Sequence, residues 1–166
     1  MRRALAGWTV TLALGFAAVP ASAQQGLAVG SRAPAVVIAD LEGRAVDLGA
    51  LVGRKPFLVE FWATWCSVCE ELLPKVRAAH AAHGDRVEFF GVNVTVNQTR
   101  DRVRRYLERH QPPYRTLYDE KGVGARAFDV PITSYIVIVD AQGKVAYTGS
   151  GADQDLEAAV RKVAAR

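Results

Sequence analysis

The only two cysteines in this 166-residue chain, Cys66 and Cys69, stand three positions apart where a strongly apolar run gives way to a helical pattern. The run is Pro56 to Trp62, broken by one acid, Glu60. From Cys66 to Ala82 the residues Leu72, Leu73, Val76 and Ala79 fall at helical spacing, and Gly84 ends the pattern. A pair this close closes too short a loop to stabilise a whole domain, so the fold must rest on a hydrophobic core. The composition allows one. Half of the residues are apolar and 23% are charged, and a chain of this length makes one domain that buries about two thirds of its unfolded surface.

The first 23 residues read as an address. Met1-Arg2-Arg3 is a short positive start, Ala4 to Val19 carries no charge, Pro20 breaks the run, and Ala21-Ser22-Ala23 offers the small residues of a cleavage site. The uncharged run has 16 residues, about 24 Å as a helix, which falls short of the ~30 Å hydrocarbon core of a bilayer. Residues 1–23 are therefore expected to be a signal peptide and residues 24–166 one domain; the rival is a retained N-terminal anchor. The mature chain is expected in a periplasmic or otherwise extracytoplasmic compartment, soluble after cleavage, where a cysteine pair can cycle between thiol and disulfide. The segment contains two Arg and no acid, so its removal lowers the net charge from +4 to +2. That balance, without a basic stripe bearing aromatics, argues against a nucleic-acid partner.

The remaining pattern alternates. Short strands are expected at 35–39 and 45–47 around a turn at Gly43, and a helical turn at 48–52 stopped by Gly53. Further strands are expected at 87–95 and 115–118, and an amphipathic helix at 100–110 with Val103, Tyr106 and Leu107 inward. A short helix at 123–128, strands at 134–139 and 144–149 flanking Asp140-Ala141-Gln142-Gly143, and a last helix capped by Asp153 complete the chain. This order implies an α/β sandwich around a mixed sheet. The crossovers need parallel neighbours and the Gly143 hairpin an antiparallel pair.

Cys66 would lie at the mouth of a helix, where free backbone N–H groups and a partial positive charge favour thiolate over thiol. Cys69, one turn in, is placed to resolve a mixed disulfide formed by Cys66. A zinc site with His80 and His83 does not fit. The spacing is too short for a finger, and along one helix His80 would lie about 16 Å from Cys69. These two histidines and His110 read as solvated helix residues. Glu60 is either on an exposed strand face or, in a strand covered on both sides, a desolvated carboxyl with a raised pKa. In the second case it could take the proton of Cys69. Pro131 opens the strand leading to Val139 and could be cis or trans. A cis bond would leave the Val130 backbone free to pair with a peptide.

These residues together resemble the thioredoxin superfamily, and more narrowly its exported TlpA/ResA-like branch. Phe61-Trp62-Ala63-Thr64-Trp65-Cys66, Val29-Gly30 with Pro34, Asp40-Leu41-Glu42-Gly43, Asp119-Glu120-Lys121-Gly122 and Val130-Pro131 carry the resemblance. It implies a thioredoxin-like three-layer sandwich with an added N-terminal β-hairpin. It also implies a cis Pro131 facing the dithiol, a helix proline at Pro74, and Glu60 in the place of a buried acid. Cys66, Cys69, Glu60 and Pro131 are the expected catalytic residues, with Trp65 and Val130 touching substrate and no cofactor or metal. The Ser67-Val68 pair between the cysteines departs from the branch's frequent proline.

The implied activity is a thiol–disulfide oxidoreductase that reduces disulfides of exported client proteins, apocytochrome c or copper-site assembly proteins. It would act as a monomer recharged by a membrane electron donor of the thiol–disulfide exchange type. The alternatives are a disulfide oxidase or isomerase, and a non-enzymatic Cu(I) chaperone, which would lack a methionine cluster here because the only Met is Met1.

Overall fold

The computed structural model describes residues 26–165, so the expected signal peptide lies outside the described residues. The chain runs β1 (Val37–Ala39), β2 (Ala45–Asp47), a 3-10 turn (Gly49–Leu51), β3 (Phe57–Trp62), α1 (Ser67–His83), β4 (Glu88–Val94) and α2 (Arg100–His110). It continues with β5 (Arg115–Asp119), α3 (Val123–Ala127), β6 (Tyr135–Val139), β7 (Val145–Gly149) and α4 (Leu156–Ala164). The main sheet has the order β5-β4-β3-β6-β7, with β3, β4 and β5 parallel and β6 and β7 antiparallel. The mixed sheet and the separate β1–β2 hairpin are those implied by the sequence. Among the described residues no helix is long and apolar enough to cross a membrane.

β3 is the middle strand and is buried at all six positions, as expected for a strand covered on both faces. Strand alternation divides it. Phe57, Val59 and Phe61 join Phe90, Val92, Leu117 and Phe128 in an apolar cluster beneath the hairpin and α3. Leu58 packs with α1 and α4 on the other face, and Trp62 packs there with Val103 and Tyr106 of α2. The result is a three-layer sandwich in which the strand end that precedes the cysteines is held from both sides.

Both sheet edges are covered. The hairpin reaches β5 through a bridge between Asp40 and Leu117, and the N-terminal segment bridges Arg32 to Lys144 ahead of β7. Asp40 anchors the hairpin. Burial would raise its pKa, but bonds from the Arg44 amide and from the Arg44 and Arg115 guanidinium groups hold it down at about 2. Arg100 and Arg104 of α2 donate to the carbonyls of Asp40 and Leu41, so this arginine-rich helix is not simply a solvated face.

Two local expectations are corrected. The cap of α4 is Asp155, whose side chain accepts from the Ala158 amide; α4 begins at Leu156, which leaves Asp153 two residues short of the cap position. His83 is buried, with Nδ1 beside the Arg86 guanidinium, His80 meets the edge of Phe89, and His110 stacks on Tyr106. Helical spacing shows which residues share a face. It does not show that these histidine faces are covered.

Candidate active site

β3 ends at Trp62, and the Cys66 amide turns back to the Ala63 carbonyl before α1 begins. Cys66 is the N-cap of α1, with extended backbone, and its Sγ accepts from the Cys69 amide at 3.1 Å. The two cysteines are joined as a disulfide with Cα atoms 5.3 Å apart. Once that bond is reduced, a thiolate on Cys66 meets the same amide and the positive end of the helix, the environment that lowers a thiol's pKa. Both residues are nearly enclosed, yet only Cys66 lines the groove at this end of the sheet.

The groove runs between Trp65, Ser67 and Val68 on one side and Ile132 to Ser134 with Ser150 and Gly151 on the other. Its rim is apolar and open: Trp65 is 50% exposed and Ile132 59%. The walls are braced. The Trp65 indole N–H donates to the Val96 carbonyl at 2.8 Å, and the Thr64 amide to Gln98 Oε1 at 3.0 Å. Opposite, the Ser134 amide bonds the Phe61 carbonyl at 2.8 Å, and Gln154 Nε2 ties the carbonyls of Ser134 and Gly151 together. Trp65 thus forms part of the exposed rim of the groove.

Pro131 corrects an expectation. No cis peptide bond occurs among the described residues, so the Val130–Pro131 bond is trans. The chain reverses here by other means, through positive φ at Asp129 (47°) and Ser134 (66°). Val130 is also less free than expected, because its amide already donates to the Ala125 carbonyl at 3.0 Å. Neither Val130 nor Pro131 lines the groove; the wall begins at Ile132.

Glu60 lies on the α1 side of β3, between Leu58 and Trp62, and is 1% exposed. Burial pushes its pKa up to about 8, partly offset by a hydrogen bond from the Tyr114 hydroxyl. Its Oε2 has no partner. Of the sequence-selected residues, the structure brings Cys66, Cys69 and Trp65 together at the end of the strand that carries Glu60. The sequence reading missed Ile132, Gln98 and Tyr114. The available signals were an apolar residue after Pro131, and a glycine, Gly91, inside an otherwise bulky strand. Among the described residues no group of three His, Cys, Asp or Glu could hold a metal ion.

Comparison with known proteins agrees with this geometry. A family model described as Redoxin matches residues 28–164. The chain is similar to the thiol-disulfide oxidoreductase ResA of Geobacillus thermodenitrificans (strain NG80-2), 31% identical over 134 residues that cover 79% of this chain and 75% of that protein. It superposes on the thioredoxin domain of a thiol-disulfide oxidoreductase from Bacteroides vulgatus with a TM-score of 0.72 at 27% identity, covering 83% of this chain and 99% of that one. A thiol:disulfide interchange protein from Bacteroides sp. gives 0.71 at 26% identity, covering 84% and 92%.

Proposed function

The chain belongs to the Redoxin family, and on that premise we propose that it is a reductase of disulfides in exported client proteins. It is a ResA-like thiol–disulfide oxidoreductase with its Cys66–Cys69 pair at disulfide distance. The direction of electron flow, the compartment and the clients are our reading.

In that reading the reduced Cys66 thiolate attacks a client disulfide. One client sulfur leaves and takes up a proton, and Cys66 is left in a mixed disulfide. The Cys69 thiol then gives its proton to the Glu60 carboxylate and attacks Cys66 Sγ. The second client sulfur leaves as a thiolate and takes up a proton, Glu60 gives its proton back to solvent, and two electrons have passed from the dithiol to the client. The protein ends in the disulfide form seen here. A membrane donor of the thiol–disulfide exchange type restores the dithiol, and apocytochrome c or a copper-site assembly protein is the client. Trp65 and Ile132 give the client an apolar seat, and Val130 has its carbonyl to offer a client backbone. Pro131, in trans, shapes the turn that leads into the wall. Residues 1–23 serve as the export signal, and residues 24–166 work as a monomer outside the cytoplasm.

The observation that carries this reading is the disulfide at a helix N-cap with only its N-terminal sulfur facing a groove. The test is the reduction potential, with client capture by Cys69→Ser, which stalls the mixed disulfide. A potential near the roughly −270 mV of thioredoxin supports a reductase, whereas one near the roughly −120 mV of a strong oxidant overturns it in favour of an oxidase.

A further inference from the structure

Glu60 pairs in parallel register with Gly91, the only residue of β4 without a side chain. The space above Gly91 is filled by Tyr114, which follows Pro112-Pro113 and directly precedes β5. A Cβ at Gly91 would lie 2.1 Å from Tyr114 Cε2 and 2.5 Å from Cδ2, so the ring takes the volume a side chain would occupy. The ring also leans on Trp62, with centroids 6.3 Å apart. This seat sets Tyr114 beside the Glu60 carboxyl, where its hydroxyl favours the charged form, and Oε2 is left buried and unpaired.

We propose that Tyr114 is the positioning residue for Glu60: the missing side chain at Gly91 admits the ring, and the hydroxyl holds the carboxyl so that Oε2 is free to accept a proton. The inference rests on the reading of Glu60 as the proton acceptor for Cys69. A buried carboxylate with no donor is strongly disfavoured, and a hydroxyl directed at one oxygen stabilises the charged form more than the neutral one. Tyr114 therefore keeps a larger fraction of Glu60 ionised near neutrality than burial alone would allow. The other groups around the carboxyl do not supply this donor. Tyr106 arrives from α2 and packs on Trp62 at 5.0 Å, Cys69 belongs to α1 and is in the disulfide, and β6 presents Ile136 opposite Glu60. Arg77 and Arg109 act on Tyr106, as does Glu70.

Tyr114→Phe removes one oxygen and keeps the ring over Gly91. The protonation midpoint of Glu60, followed through its carboxyl infrared band in the oxidised protein, is expected to rise by about one pH unit. The resolving step is read with 5,5′-dithiobis(2-nitrobenzoate) as the second release of coloured thiolate from the reduced protein. Its acid limb should move by the same amount, slowing it about tenfold at pH 7 and restoring it at high pH, while the first release is unchanged. Should the phenylalanine variant fail to fold, 3-fluorotyrosine placed at position 114 is a stronger donor and should move the midpoint down. A midpoint that moves in neither variant overturns the proposal. Glu60→Gln separates the two readings. If it flattens the second-release profile while Tyr114→Phe leaves the midpoint alone, only the role of Tyr114 fails. If it leaves the profile of the wild-type chain intact, the proton-acceptor reading fails and the positioning role falls with it.

Discussion

The two faces of β3 are built to different rules. On the hairpin side Phe57, Val59 and Phe61 lie in a continuous apolar cluster, with Phe61 against Phe128 at 5.3 Å and Tyr135 at 6.3 Å. On the helix side, among the described residues, lie the buried side-chain atoms without partners: Glu60 Oε2, Trp62 Nε1, Asn93 Oδ1 and His83 Nε2. A dry apolar cluster stabilises the domain and holds strand register. The face beneath α1 buries polar groups at a cost in stability: Glu60, Trp62 and Asn93 lie on β3 and its neighbour β4, and His83 lies at the far end of α1 from the cysteines. One strand six residues long therefore separates an apolar face from a face that buries polar groups.

Phe61→Ala and Glu60→Gln, one on each face, should pull stability in opposite directions. Phe61→Ala opens a cavity in the apolar cluster and should cost about 3–5 kcal/mol in urea unfolding. In its folded fraction Cys66, which takes its environment from α1, should still alkylate faster than an unstructured thiol. Loss of that reactivity would show that the faces are not separable.

Glu60→Gln should do the reverse. The native carboxyl titrates at about 8 against an ordinary 4.5, so the native state holds a proton that the unfolded chain has released. The stabilising contribution of the protonated acid is complete below pH 4.5 and is lost as the pH rises to about 8. The glutamine variant lacks this slope. It should gain on the parent chain across that window, by on the order of a few kcal/mol at the alkaline end, while resolving mixed disulfides more slowly. Parallel stability curves for the two proteins would place Glu60 outside the desolvated region.

Gly91→Ala sharpens the comparison on the helix side. Its Cβ meets the Tyr114 ring, which must tilt, and overpacking of this kind costs about 1–3 kcal/mol. Resolution at neutral pH should slow with it, whereas an equal loss of stability on the hairpin side should leave the resolving step alone. The smallest effect is expected from Asp155→Ala, which removes the cap of α4 and should lower stability by about 1 kcal/mol without changing thiol kinetics.

Much of this was legible in the chain because the signals are local. The apolar run, the helix start at Cys66 and the hairpin glycines act through neighbours in sequence, and these elements fall where the pattern puts them. The burial of Glu60 was one of two readings that strand alternation left open, and layers on both faces of the middle strand decided it. The trans Pro131, the engaged Val130 amide, the buried His83 and the shift of the α4 cap to Asp155 were not legible. Each depends on which distant carbonyl or side chain a residue meets.

The sequence by itself determined that a dithiol would sit at the junction of a buried strand and a helix, because propensity, patterning and helix-terminus electrostatics operate over a few residues. Only the tertiary structure decided what surrounds it. The pairing of Glu60 with Gly91, and the ring of Tyr114 standing in the gap, follow from strand register and close packing between segments far apart in the chain, where volumes must be filled and buried polar atoms must find partners.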